Sequence, residues 1–202
     1  MAAVTGGSGG LGRALVTEFQ SLGYEVHDLS RSAGIDASDE AQVVEAFARF
    51  GRLEVLVNNA AVLRMGLLVD MDAAAWDETL NAGLRAAFLC SREAFRRMPP
   101  GGAIVNVSSL SGVVGTEKFA GMAAYVAAKS GLAGLTEALA VEGRPLGIRV
   151  NAVSPGAIDT AMLKKSGVGG ASLQPTDVAR LVGWLATSRS APLTGANLRL
   201  DP

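Results

Sequence analysis

Apolar residues along this chain fall into two alternating rhythms. Short runs rich in Val, Ile, Leu and Ala lie at Ala2 to Thr5, Tyr24 to Leu29, Leu53 to Val57, Ala103 to Val107, Ile148 to Val153 and Ala196 to Leu200, a pattern that predicts strands. Between them, Gly10 to Leu22, Glu40 to Phe50, Ala73 to Met98, Met122 to Glu142 and Thr176 to Thr187 carry Ala, Leu, Glu and Arg at helical spacing, the last with Thr176 and Asp177 as its cap. Strands that alternate with helices imply a parallel sheet covered on both faces. The expectation is an α/β fold with a Rossmann-type, doubly wound parallel sheet in three α/β/α layers, its topology narrowed by right-handed crossovers.

One interval breaks the alternation. Only Ser30 to Gly34 separate the second run from a possible brief strand at Ile35 to Ala37, too few residues for a parallel crossover with its helix. Either that third strand is vestigial or the chain crosses without a helix, and the sheet is thin at this edge; counting it makes Leu53 to Val57 the fourth strand. At 202 residues and 49% hydrophobic content, the chain can bury one substantial core, which predicts a single domain over 1–202. The Gly-rich Ser166 to Ala171 reads as a flexible surface loop.

Charge removes several function classes. With 18 Lys+Arg against 19 Asp+Glu and a net charge of -1, the chain has no basic field for nucleic acid or anionic membranes. No apolar stretch reaches the roughly 18 residues that a membrane span needs, and the N-terminus lacks a leader pattern. A lone Cys90 allows no internal disulfide and fits a reducing compartment, so the cytoplasm is expected. No His, Cys, Asp and Glu cluster has metal-ligand spacing. His27, the one histidine, lies within a strand, where packing outweighs catalysis, and a serine hydrolase would lack its base. Trp76 and Trp184 read as packing residues.

The chemistry begins at Thr5-Gly6-Gly7-Ser8-Gly9-Gly10-Leu11-Gly12, which follows the first strand and opens the first helix. In that context a glycine loop can hold a pyrophosphate: Gly6 permits the tight turn, Gly10 a close backbone approach and Gly12 close helix packing, while free N–H groups face the anion. Further motifs follow in order: Val57-Asn58-Asn59-Ala60-Ala61, Asn81, Ser108-Ser109, Tyr125-x-x-x-Lys129 and Pro155-Gly156. Together with the T-G-x-x-x-G-x-G spacing, they resemble the short-chain dehydrogenase/reductase family from Thr5 to Leu193-Thr194-Gly195, with Ala61 departing from the family's glycine. The resemblance implies nicotinamide dinucleotide contacts from Gly6, Ser8, Gly10, Leu11, Gly12, Asn59, Ala60, Tyr125 and Lys129. It implies further contacts from Pro155, Gly156, Ile158 and Thr160 around the carboxamide. It also implies a short substrate lid near 160–173 and a homotetramer or dimer packed through the long helices around Ala82 to Arg97 and Met122 to Glu142.

Cofactor choice turns on the end of the second strand, His27-Asp28-Leu29-Ser30-Arg31. A carboxylate there grips both ribose hydroxyls of NAD, whereas an arginine welcomes a 2′-phosphate. Aligning Val26 with the family's strand puts Ser30 where NAD enzymes carry Asp, with Arg31 next, which favours NADP(H) over NAD(H). A shift of one or two residues would bring Asp28 to the ribose and reverse that preference. The glycine loop lacks the basic residue of many NADP-using members. Asp36, with Ala37 beside it, corresponds to the residue that contacts adenine.

An acid/base tyrosine needs a neighbouring cation, because its free pKa of about 10 is too high near neutrality. Lys129 stands four residues after Tyr125 in a helical stretch, which brings both side chains to one face. Ser108, Ser109 and Ser111 all follow the fifth strand; the family pattern favours Ser109, which could hold the substrate oxygen. The resemblance implies that Lys129 also holds the nicotinamide ribose and that Asn81 sustains a proton path. The interval from Ser109 to Tyr125 is longer than usual in the family, with an insertion expected within Thr116 to Phe119. The reading is an NADP(H)-dependent oxidoreductase acting on a small carbonyl or secondary alcohol. Its alternatives are an NAD-dependent dehydrogenase of the same family and a non-catalytic dinucleotide sensor.

Overall fold

The computed structural model describes residues 1–166, 169 and 171–202. Gly167, Val168 and Gly170, within the stretch read above as a surface loop, lie outside the described residues. The strands are β1 (Ala2–Thr5), β2 (Val26–Leu29), β3 (Val55–Asn58), β4 (Ala103–Val107), β5 (Arg149–Pro155) and β6 (Asn197–Leu200). They form one parallel sheet in the order β2-β1-β3-β4-β5-β6. The order reverses direction at β1, and at such a switch point a parallel sheet opens a crevice beyond its strand ends. This is the doubly wound, Rossmann-type arrangement.

Helices cover both faces because the central strands are apolar on both sides. Against one face lie α2 (Glu40–Ala48), α4 (Ala86–Phe95) and α5 (Ala123–Gly143), which bury Phe47, Leu89 and Ala140 over Ala3, Leu56 and Ile104. Against the other lie α1 (Gly10–Ser21) and α7 (Pro175–Ala186), whose Leu15, Phe19, Val182 and Leu185 meet Val4, Val57 and Val105. Truncating a fully buried phenylalanine such as Phe19 or Phe47 to alanine costs about 3–5 kcal/mol in a core of this kind. Cys90 is fully buried in the α4 layer, and its thiol is pushed up to about 12, by burial first and then by the Glu93 charge.

The expected third strand does not form. Arg31–Ala33 make a single 3-10 turn, Gly34 adopts φ +81°, and Ile35 N–H bonds back to the Ser30 carbonyl at 3.0 Å. Asp36 N donates to Gln42 Oε1 at 2.8 Å, and the Asp36 carboxylate accepts from Ser38 N and Oγ at 2.9 and 2.6 Å. The backbone donors that a strand would offer at Ile35 and Asp36 are thus turned to local partners, so Val55–Asn58 is the third strand, and β2 is the sheet edge. Asp39 caps α2 by accepting from Gln42 N at 3.0 Å.

Two helices differ from expectation. The long helix predicted from Ala73 is interrupted: α3 (Ala73–Leu80) passes through a π-turn at Asn81–Arg85 before α4 begins. The last long helix starts at Pro175 with Gln174 as its N-cap, so Thr176 lies inside it rather than capping it. Proline at the first helical position has its fixed φ already suited to the helix. A short α6 (Ala161–Ser166) follows β5. A parallel bridge between Ile158 and Leu173 ties together the ends of the segment expected as a lid. His27 packs its ring 4.7 Å from that of Phe50, as a strand histidine should, whereas Trp184 is 39% exposed on α7 and Trp76 is half-buried.

Candidate active site

The carboxyl ends of β1, β3, β4 and β5 open into a cleft of about 470 Å³. The chain turns out of β1 at Gly6, whose φ of +64° a side chain would strain. A Cβ on Gly12 would lie 2.0 Å from the Gly6 carbonyl oxygen, so only glycine lets α1 begin this close to the strand end. A Cβ on Gly10 would stand 2.8 Å from Thr160 Cγ2, so the close approach at Gly10 is to Thr160 on the far wall of the cleft. Among the described residues, no side chain caps the start of α1, and its first turn carries no acid. Its free N–H groups and dipole thus suit an anion, and the cradle fits a pyrophosphate.

Thr5 holds this loop, a role that its place in the sequence does not reveal. Its hydroxyl accepts from the backbone N–H of both Asn59 and Ala60 at 2.9 Å. Asn59 Nδ2 returns hydrogen bonds to the carbonyls of Thr5 and Gly6 at 3.0 and 3.2 Å. The first and third strands are therefore pinned together where the glycine loop starts. Ser8, Gly10, Leu11, Asn59 and Ala60 all line the cleft.

At the other end of the loop, Ser30, Arg31, Asp36 and Ala37 line the cleft, together with Ser32. Asp28 is not among the lining residues: its carboxylate accepts from Gly7 N and from Ser30 Oγ, both at 2.8 Å. The register Val4↔Asp28 and Thr5↔Leu29 places Ser30 just past the strand end. Arg31 Nε lies 3.0 Å from Asp36 Oδ2 on an exposed guanidinium that keeps further donors. Burial raises the Asp36 pKa, but hydrogen bonds from Ser38 and the Arg31 charge outweigh it and hold the carboxyl below its usual range.

Ser109, Tyr125 and Lys129 meet at the middle of the cleft. Lys129, 2% exposed, donates from Nζ to the Val107 carbonyl at 2.7 Å and stands 5.6 Å from the Tyr125 ring centre. Burial draws its pKa down to about 8. The Tyr125 phenol is pushed up, by burial first, while a hydrogen bond with Ser109 works the other way. Burial thus prevails over the serine hydrogen bond, and the phenol keeps its proton at neutral pH. Ser108, 3% exposed, donates its hydroxyl to the Lys129 carbonyl at 2.9 Å; both serines line this cleft, and Ser109 but not Ser108 also lines a neighbouring cavity.

Asn81 is not brought to this group. It is exposed at the start of the π-turn, while Ala82 and Ala86 face the cleft. The buried Gly83 packs against α5, where an added Cβ would sit 3.6 Å from that of Ala128. A π-turn inserts a residue into the helical repeat, so uniform 3.6-residue spacing misplaces the side chains beside it.

A second cavity of about 540 Å³ meets the first at Ser109, Tyr125, Gly156, Ile158 and Thr160. Leu110, Phe119, Met122, Met162 and Leu163 supply apolar wall, and Glu117 lines it as well. The stretch Thr116 to Phe119, where an insertion is expected, contributes to this wall: Thr116 Oγ1 donates to the Val113 carbonyl at 2.9 Å and Lys118 Nζ to the same oxygen at 2.6 Å. Pro155 and Gly156 line the first cavity at the end of β5.

A family model described as enoyl-(acyl carrier protein) reductase matches residues 13–202. Trans-4-hydroxycyclohexanecarboxylate dehydrogenase of Sinomonas cyclohexanicum is 38% identical over 185 residues, 86% of this chain and 70% of that protein. The 3-oxoacyl-(acyl-carrier-protein) reductase FabG of Staphylococcus aureus is 34% identical over 238 residues, 99% of this chain and 96% of its own length. That span exceeds the 202 residues present here, so the relative carries segments that this chain lacks. Among solved structures, BdcA in complex with NADPH superposes with a TM-score of 0.85 at 30% identity, covering 99% of this chain and 92% of the other. ElxO with NADP bound gives 0.87 at 31%, covering 99% and 96%. On the cleft geometry and these matches along nearly its whole length, the chain belongs to the short-chain dehydrogenase/reductase family of oxidoreductases.

Proposed function

We propose that this protein is an NADP(H)-dependent oxidoreductase that moves hydride between nicotinamide and a small carbonyl or secondary alcohol, with Tyr125 as acid/base. The observation that carries the reading is the convergence of Ser109, Tyr125 and Lys129 where the glycine-loop cleft meets the apolar cavity. The bound dinucleotide supplies or takes up the hydride. Ser109 orients the substrate oxygen by hydrogen bonding. In reduction, the protonated Tyr125 gives its proton to the oxygen on which charge develops, and the Lys129 ammonium stabilises the phenolate left behind. In oxidation the same groups act in reverse.

Arg31 and the absence of a carboxylate at Ser30 support NADP(H), as do the NADPH and NADP in two similar structures. Arg13 adds positive charge beside the loop, where its Nη1 donates to the Ser8 carbonyl at 3.1 Å. Leu110, Phe119 and Met122 beside Glu117 suit an uncharged, largely apolar substrate. We assign the reaction to the cytoplasm, to a single domain spanning 1–202, and to a homo-oligomer joined through α4 and α5, where Phe88 and Val141 are 45% and 62% exposed. A second reading, NAD dependence, draws on the Asp28 carboxylate just behind Ser30.

Fluorescence titration of the purified protein with NADPH and NADH, followed by a panel of carbonyl substrates, tests the proposal. Tighter binding of NADPH with turnover is the expected result, and Tyr125→Phe should then lower kcat at least about 100-fold. Failure to bind either nucleotide overturns the reading. Turnover of Tyr125→Phe close to that of the parent protein removes tyrosine from the chemistry.

A further inference from the structure

Asp28 sits directly beneath the glycine loop. A Cβ on Gly7 would fall 2.5 Å from Asp28 Oδ1, and Gly7 N donates to that oxygen at 2.8 Å. The other carboxylate oxygen, Oδ2, accepts from Ser30 Oγ at 2.8 Å, and Ser30 Oγ lies 3.0 Å from Ser32 Oγ. A hydroxyl has a single proton and a carboxylate can only accept. Ser30 therefore directs its proton to Asp28, and the proton shared between Ser30 and Ser32 must come from Ser32. Both hydroxyl protons point along one chain toward Asp28, and the oxygen lone pairs remain for whatever enters the cleft between Ser30 and Ser32, which both line it.

An oxygen that only accepts suits the 2′-hydroxyl of a ribose, which can donate, and not a phosphate, which needs donors. Arg31 beside it provides donors for a phosphate. The strand end thus holds two opposed elements: a guanidinium that favours a 2′-phosphate, and a carboxylate that turns the neighbouring hydroxyls away from one. We infer that Asp28 is a positioning residue that acts through Ser30 to restrain the preference for a 2′-phosphorylated dinucleotide, leaving the protein able to accept both forms. Its second bond, to Gly7 N, couples the same carboxylate to the loop that holds the pyrophosphate.

This inference rests on reading the cleft as a dinucleotide site, and the two are separable by experiment. The quantity to follow is the ratio of the NADH and NADPH dissociation constants, from fluorescence titration of the parent, Asp28→Asn, Ser30→Ala and the double variant. In Asp28→Asn the new amide keeps an oxygen for Gly7 N and presents an N–H to Ser30 Oγ, which releases the Ser30 proton toward the cleft. The ratio should then rise in favour of NADPH by about five-fold or more, the equivalent of roughly 1 kcal/mol. Ser30→Ala removes the accepting oxygen and should shift the ratio in the same direction, and adding Asp28→Asn to it should change the ratio little further. A purely structural role for Asp28 would weaken both nucleotides in proportion and leave the ratio where it was, and that result overturns the inference. A full effect of Asp28→Asn in the Ser30→Ala background overturns the route through Ser30. A parent protein that binds neither nucleotide overturns the functional reading, and this inference with it.

Discussion

At the scale of single residues, the cleft keeps its charges at a cost in stability. Lys129 is buried with its ammonium on one carbonyl oxygen, and its pKa stands at about 8 against an ordinary 10.5. Between those values the unfolded chain binds more protons than the folded one, so the lysine's contribution to stability rises with pH across that window, and its burial penalty is fully present below about pH 8. Lys129→Met removes this titration and should abolish turnover. The difference in unfolding free energy between variant and parent should favour the variant most below pH 8 and move against it as the pH rises toward 10.5, by an amount on the order of a few kcal/mol. Melting curves of both proteins across that range check it, and a difference that stays flat with pH would mean that Lys129 is as well solvated as a surface lysine. The neighbouring roles were unequally legible. Tyr125 and Lys129 four apart on a helix announce a shared face, because α-helical geometry is local. The roles of Asp28 and Thr5 depend on partners brought together by the sheet, which no spacing along the chain displays.

At the scale of elements, the glycine loop and α1 separate two kinds of glycine that look alike in sequence. Gly12 opposes backbone, with an added Cβ 2.0 Å from the Gly6 carbonyl, whereas Gly10 opposes a threonine methyl at 2.8 Å. Gly12→Ala should therefore displace the loop, costing about 2–4 kcal/mol of stability and most of the nucleotide affinity. Gly10→Ala should fold normally and bind more weakly, and Thr160→Ser, which deletes the opposing methyl, should restore much of the loss. Equal damage from both glycine variants, with no rescue, would argue against this packing. The strands could be read because each is a short apolar run whose ends vary only by a residue or two. The brief strand expected at Ile35 to Ala37 was the exception, since Gly34, Asp36 and Ser38 close a turn around those apolar side chains. The turn at Asn81 was not legible either: a π-turn leaves little trace in the apolar pattern, and Asn81, expected from the family resemblance, stands exposed at its start.

At the scale of the whole molecule, the six-stranded sheet gathers the carboxyl ends of β1, β3, β4 and β5 around one cleft and leaves β2 as its edge. The β2 edge lies away from Ser109, Tyr125 and Lys129, which stand past the carboxyl end of β4 and on α5. The α4 layer beneath that cleft has a practical consequence. Cys90 is the one thiol among 202 residues, fully buried and held to about 12, so in the native fold it is both shielded and protonated. Thiolate, not thiol, attacks alkylating and disulfide reagents, so labelling waits for this layer to open. The rate of modification at neutral pH should then be set by opening of the core, independent of reagent concentration once the reagent is in excess, and slowed when a nucleotide is bound. Proportionality to reagent at every concentration, unchanged by nucleotide, would show that Cys90 is reached without opening. One sulfur atom makes the protein its own stopwatch, timing how often its interior meets water.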